Sequence, residues 1–245
     1  MLMLLGLACI TIKQRLGTDS QLAPYLSDIS SAFLASGLLS MLFKVLEERE
    51  FQQNLRHMLG IHDSIEERGL VRILPEVQAF NFAGLIEDAD FLVVVMNDGQ
   101  RWVGNHSVAL QARFSKDSTT EFFTVDPDSS FIESLARKTG GTAAELKQKI
   151  EKAWALLEDA YEKSSKKGRL RIYKLKTFPT KTIFLTEKLL IETPYQTASG
   201  RAQIPVFAYE KNARDDSIYE FVHRDIEAVR KEALLAKQLP APPAA

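Results

Sequence analysis

Cysteine is almost absent from this chain: its 245 residues include one, Cys9. A single thiol excludes an intramolecular disulfide framework and any cysteine-built zinc site. Excess charge is lacking too. The formal net charge is −1, from 31 basic and 32 acidic residues, which argues against a bulk nucleic-acid binder and a polybasic membrane-surface protein, so no direct DNA binding is expected. Phosphate-cradling loops are missing: there is no GxxxxGK[ST], and no GxGxxG follows the first strands, so neither a P-loop nor a dinucleotide fold has its fingerprint. No GxSxG nucleophile elbow occurs either. Histidine is scarce. Of the four, His57, His62, His106 and His223, only the first two are close in sequence, and they stand five apart instead of the four of a one-face metal pair. No metal and no cofactor is expected.

Charge is also missing locally. "MLMLLGLACITI", Met1–Ile12, has none, and neither does "ISSAFLASGLLSMLF", Ile29–Phe43. Each run is shorter than the roughly 20 apolar residues that span a bilayer. The second reaches that length by taking in Tyr25 to Ser27 and Val45–Leu46, with Asp28 near one end and Lys44 near the other; Lys44 is free to snorkel. The first run stops at Met1, as expected if the native start lies upstream. It has no basic n-region for a secretory signal, and Gly6 of "GLAC" stands where a lipoprotein signal wants a larger aliphatic residue. Ser30, Ser31, Ala32, Ala35, Ser36, Gly37 and Ser40 give the second run the small residues of packed membrane helices. Residues 1–46 are therefore expected to form a two-helix membrane hairpin, the alternative being apolar helices that make subunit contacts in a soluble protein. Lys13 and Arg15 lie between the runs, and Lys44, Arg49 and Arg56 follow the second. This slight bias places the C-terminal part in the cytoplasm, at a bacterial cell membrane.

Residues 47–69 read as a helical stalk. Val45, Leu46, Phe51, Leu55, Met58 and Leu59 recur at helical steps, with an interruption at Gly60 and a C-cap at Gly69. Residues 70–237 alternate strands and helices, the pattern of an α/β domain with helices on both faces of a mixed sheet. "DFLVVVMND", Asp90–Asp98, is the uniformly apolar strand of a doubly covered sheet. "RWVGNHSVALQARFS" reads as one helix, and Thr142 with Glu145 forms a capping box before another. The last helix is expected from Asp215 to Lys237, with Ile218, Phe221, Val222, Ile226, Val229 and Leu234 on its apolar stripe. Residues 238–245, proline-rich, read as a frayed tail. Phe122, Phe123, Phe178, Phe184 and Phe207 are expected in the core.

"NDGQRWVGNH", Asn97–His106, follows the buried strand, and loops past strand C-termini face the ligand crevice of open α/β sheets. Asp98, Arg101, Asn105 and His106 are thus candidate ligand-binding residues for an anion or a nucleotide, with Lys181 opposite and Arg201 in a covering loop. In the plainer reading Asp98 caps a helix and the others are solvated.

The order of elements carries a resemblance. A strand ending in "VDPDSS", a long helix, and then "RLRIYKLKTFPTKTIFLTEKLLIETPY" resemble one half of a phospholipase D-like domain over Val71–Leu235. That family's motif is H-x-K-x-x-x-x-D. Its histidine position falls on Pro179, its lysine on Lys181 and its aspartate on Thr186, so the resemblance implies the frame without the nucleophile that covalent catalysis needs. It also implies homodimerisation, because active members build one site from two halves. The expectation is a non-catalytic, membrane-anchored sensor, scaffold or membrane effector of the kind used in bacterial defence, which binds a cytoplasmic protein or a nucleotide-like ligand. The alternative is an unorthodox hydrolase or transferase of phosphoryl substrates using His106 and Lys181.

Overall fold

Three neighbouring parallel strands lie within the sheet, and their apolar residues alternate between two covered faces. In the computed structural model, which describes residues 2–16, 23–58, 63–196 and 203–240, the chain divides into two units, Met1–His62 and Asp63–Ala245.

The first unit pairs helix α1 (Leu2–Leu16) with helix α2 (Ala23–Met58). The 36 residues of α2 make a helix about 54 Å long. Its segment Ser27–Glu47, 21 residues with a mean hydropathy of 1.7, is long and apolar enough to cross a membrane. Leu38, Leu39, Met41, Leu42 and Phe43 on it are all exposed. The 15 residues of α1 reach only about 22 Å, short of a hydrocarbon core of about 30 Å. The expected interruption at Gly60 lies outside the described residues.

The second unit begins with α3 (Asp63–Glu67) and β1 (Leu70–Leu74), continues through α4 (Phe82–Asp88) to β2 (Phe91–Met96), and then α5 (Gln100–Asn105), α6 (Ser107–Phe114) and β3 (Thr119–Val125) follow. Next come α7 (Ile132–Lys138), α8 (Ala143–Glu162), β4 (Arg169–Leu175), β5 (Lys181–Thr186), β6 (Leu189–Pro194), β7 (Val206–Glu210), α9 (Ile218–Glu232) and β8 (Leu234–Leu239). Among the described residues the strands form one sheet in the order β1-β7-β6-β5-β2-β3-β4-β8. The β2–β3 and β3–β4 pairs are parallel, and the remaining pairs are antiparallel.

Alternation along β2 explains its unbroken apolar run. Leu92, Val94 and Met96 join Phe122, Ile172, Phe184 and Ile191 under α4, α5, α6 and α8. Val93 and Val95 join Phe123, Tyr173, Ile183 and Leu190 under α9. Each such side chain, withdrawn from water on its own face, stabilises the fold by about 1.5–3 kcal/mol. The Thr142–Glu145 capping box is present, with Thr142 Oγ1 accepting from Glu145 N at 3.2 Å and Glu145 Oε2 accepting from Thr142 N at 2.7 Å. Gly69 closes α3 at φ +91°, and a Cβ there would stand 2.6 Å from the carbonyl oxygen of Glu210, so glycine is required.

Four local expectations are corrected. The last helix ends at Glu232, and the chain then runs as β8 antiparallel to β4, pairing Leu234 with Lys174 and Leu239 with Leu170. The open backbone groups of β4 draw that segment into the ladder, against its helical spacing. Leu234 consequently leaves the helix stripe and is half exposed, while Phe221 points away at 61% exposure and Tyr219, Val222 and Ile226 face the sheet. Phe178, expected in the core, lies in the β4–β5 loop, half exposed against the ring of Phe131. The helix expected across 101–115 breaks at His106, whose φ and ψ of −114° and 18° separate α5 from α6.

Candidate ligand-binding crevice

The parallel strands β2, β3 and β4 end at one rim of the sheet, where antiparallel β5 begins and β6 finishes. Helices leave that rim over one face, so a hollow forms between the β2–α5 loop and the first residues of β5, the usual ligand position in open α/β sheets. Here it is a crevice of about 380 Å³, within the ordinary range for small-molecule sites.

Pleat parity decides who enters it. Thr182 shares a face with Phe184, and Thr193 with Ile191, so both hydroxyls line the crevice beside Met96 and Trp102. Lys181 shares the other face with Ile183, under α9, and there pairs with Glu192. A cation held by a carboxylate on the far face does not answer the pocket that Asp98 and Arg101 line.

Tyr195, just past β6, organises the rim. Its phenol oxygen accepts from the backbone N–H of Asn97 at 3.0 Å and from the Thr182 hydroxyl at 2.9 Å. These bonds tie the end of β2 to the start of β5. Burial is the first cause of a phenol pKa pushed up to about 12, so the group keeps its proton at neutral pH. Asp98 serves its own loop: Oδ1 accepts from Gln100 N at 3.0 Å. Gly99 between them has φ +74°, and a Cβ would meet Phe122 Cζ at 2.5 Å and Met96 Sδ at 2.7 Å. The αL turn at Gly99 thus aims α5, and with it Trp102, over the crevice.

Two residues of the lining each carry a buried polar atom without a partner. Asn97 Oδ1 and Trp102 Nε1 are buried without a hydrogen bond, an arrangement that costs free energy unless something else satisfies them. The first is an acceptor and the second a donor.

Of the residues expected at the site, Asp98 and Arg101 line the crevice, Arg101 with its side chain exposed. Asn105 is exposed on α5. The His106 ring is held by Nδ1 donating to Trp102 O at 2.7 Å and lies against the rings of Phe82 and Trp102, outside the crevice lining. His223 lies on α9, 3.9 Å from Glu227. Arg201 lies outside the described residues. Thr186, at the far end of β5 from Lys181, accepts from the backbone N–H groups of Lys188 and Leu189 and so shapes the β5–β6 turn. Among the described residues no cluster of three or more His, Cys, Asp or Glu is placed to hold a metal ion. Tyr195, Thr182, Thr193 and Trp102 are the crevice residues that sequence reasoning missed. Alternation from Phe184 was the available signal for Thr182.

Compared with known proteins, the chain matches no family model and no curated protein. A solved structure described as TrmBL2, an archaeal chromatin protein with a novel mode of DNA binding, aligns with a TM-score of 0.37 at 8% identity, covering 84% of this chain and 70% of that one. A likeness of that degree carries no inference about this chain.

Proposed function

We propose that this protein is a membrane-anchored receptor. A non-catalytic α/β domain, phospholipase D-like in descent, holds a small cytoplasmic ligand at the β2–β5 rim, and the N-terminal apolar helices hold the domain at a bacterial cell membrane. The reading includes homo-oligomers, as the two-halved sites of phospholipase D-like enzymes imply, and a scaffold or effector output through the membrane segment.

One observation carries it. The crevice is lined by polar residues suited to holding a molecule, Asp98, Arg101, Thr182, Thr193 and Tyr195 among them, and two further lining residues carry a buried, unpartnered polar atom. The exposed leucines of α2 support the anchor.

Two measurements on the full-length protein test the proposal. Alkaline washing of membranes should leave the chain in the bilayer, and recovery in the wash would remove the anchor. In detergent, a library of small polar metabolites should yield at least one compound that raises the melting temperature. Thr193→Phe, which fills the crevice, should cancel that rise. A rise that persists in Thr193→Phe would place the ligand elsewhere and refute the crevice reading.

A further inference from the structure

Two side chains of opposite charge, Asp98 and Arg101, line the crevice three positions apart in the chain. They form no ion pair with each other, and among the described residues neither has another ion-pair partner. Asp98 engages one carboxylate oxygen with Gln100 N at 3.0 Å, which leaves the other open. Its charge reaches into the crevice, because it acts on the phenol of Tyr195, which is tied to Asn97 N and Thr182 Oγ1 at the rim. The Arg101 guanidinium is exposed and makes no hydrogen bond among the described residues.

Much of the remaining lining is apolar. Met96, Trp102, Leu135 and Phe184 contribute to it, with the Trp102 and Phe184 rings 5.2 Å apart between centroids. Thr193 lines the crevice at 5% exposure, and its hydroxyl makes no hydrogen bond among the described residues. A polar group from outside the fold would satisfy it. A lone anion drawn to Arg101 meets the repulsion of Asp98 in the same lining, and a lone cation drawn to Asp98 meets that of Arg101. A molecule carrying both charges answers both.

Resting on the reading of this crevice as a ligand site, we propose that it takes a free α-amino acid with an apolar or aromatic side chain. The carboxylate of the amino acid accepts from the Arg101 guanidinium, a planar fork suited to it. The ammonium donates to the open oxygen of Asp98. The side chain takes the apolar part of the crevice, where withdrawal from water and contact with aromatic rings favour it. About 380 Å³ accommodates such a molecule whole. Selectivity lies in the pairing of signs: an analogue that lacks either charge leaves one of the two side chains unanswered.

The test is isothermal titration calorimetry on the full-length protein in detergent, with L-phenylalanine, L-leucine and L-methionine as probes. At least one should bind saturably. Analogues of the best binder that lack one charge should bind about tenfold or more weakly; for phenylalanine these are 2-phenylethylamine, without the carboxylate, and 3-phenylpropionate, without the ammonium. Arg101→Gln should weaken the amino acid by a similar factor without weakening the amine analogue. Asp98→Asn, which keeps an acceptor for Gln100 N, should weaken the amino acid without weakening the acid analogue. The analogue comparison on the unsubstituted protein stands even if a variant folds poorly. An analogue that equals the amino acid overturns the proposal, and so does binding insensitive to both substitutions. Silence of all three amino acids up to about 10 mM overturns it too. In that event, a nucleotide or other library compound whose melting-temperature rise Thr193→Phe cancels leaves the crevice a ligand site for another class. Absence of any such compound removes both readings.

Discussion

Arg113 is the most deeply placed charge among the described residues of the second unit, and replacing it by alanine should be costly. Its side chain is fully buried. The guanidinium donates to Thr120 Oγ1 at 2.7 Å, to the carbonyls of Ile86 at 3.1 Å, Asp90 at 3.2 Å and Thr119 at 2.7 Å, and also to that of Ala89. It thereby closes the C-terminal end of α4 and the start of both β2 and β3, where a positive group also favours the helix dipole. Burial lowers its pKa to about 10, with the carboxylates of Glu187 and Asp90 opposing that shift. The side chain is therefore charged in both folded and unfolded chains around neutral pH, and its contribution there does not vary with pH. In Arg113→Ala the carbonyls lose their donor at about 1–3 kcal/mol each, and water entering the vacated space restores part of this. The expected loss is about 3–5 kcal/mol, a large share of the roughly 5–15 kcal/mol of a folded domain. Arg113→Lys should recover a fraction, since one ammonium cannot reach every acceptor. Both tryptophans lie in the second unit, so urea unfolding followed by their fluorescence reports that unit. As a control, Arg137→Ala removes an exposed pair with Glu133 and should cost under about 0.5 kcal/mol. A loss below about 1 kcal/mol for Arg113→Ala would show that these carbonyls do not depend on the guanidinium, and the reasoning fails.

Three further outcomes are expected. Gly99→Ala forces a Cβ into Phe122 and Met96 at positive φ; a cost of about 2–4 kcal/mol by the same urea assay is expected, with crevice binding weakened as α5 shifts. Tyr195 holds its proton to about pH 12 in the folded state against an ordinary phenol value of 10.0, so the folded chain binds more protons than the unfolded chain between those values. The contribution is full below pH 10 and lost as pH rises through 12; phenolate absorbance should show a late step, shared with Tyr219, whose amplitude Tyr195→Phe reduces. Glu145 has a pKa lowered chiefly by its bond to the Thr142 backbone, so its share in capping α8 is present above the ordinary carboxylate range and lost as pH falls through the folded value. Thr142→Ala should cost about 1 kcal/mol at neutral pH, and Glu145→Gln should flatten the acid limb of a melting-temperature profile, whereas an unchanged limb would assign acid lability to other groups.

Local chemistry was legible in the residues themselves. The apolar run of β2, the capping box at Thr142 and Glu145, the positive-φ glycines Gly69 and Gly140, and the apolar length of Ser27–Glu47 all follow from interactions within a few residues of one another. So did the placing of Asp98 and Arg101 past a buried strand. The largest failure required a partner distant in sequence. β8 exists because the edge of β4 offers a ladder some sixty residues upstream, and helical spacing at Leu234 carries no trace of that.

The crevice belongs to the second kind. Whether Lys181 or Thr182 enters it depends on the parity with which β5 is laid beside β2, where Phe184 pairs with Val94 and Ile183 with Val95. One step of register exchanges the faces. Tyr195 matters because β6 brings its hydroxyl to Asn97, across nearly a hundred positions of chain. Strand and helix content are set by short-range pattern; which side chains meet, and which buried groups go without a partner, is set by long-range pairing that no single segment encodes.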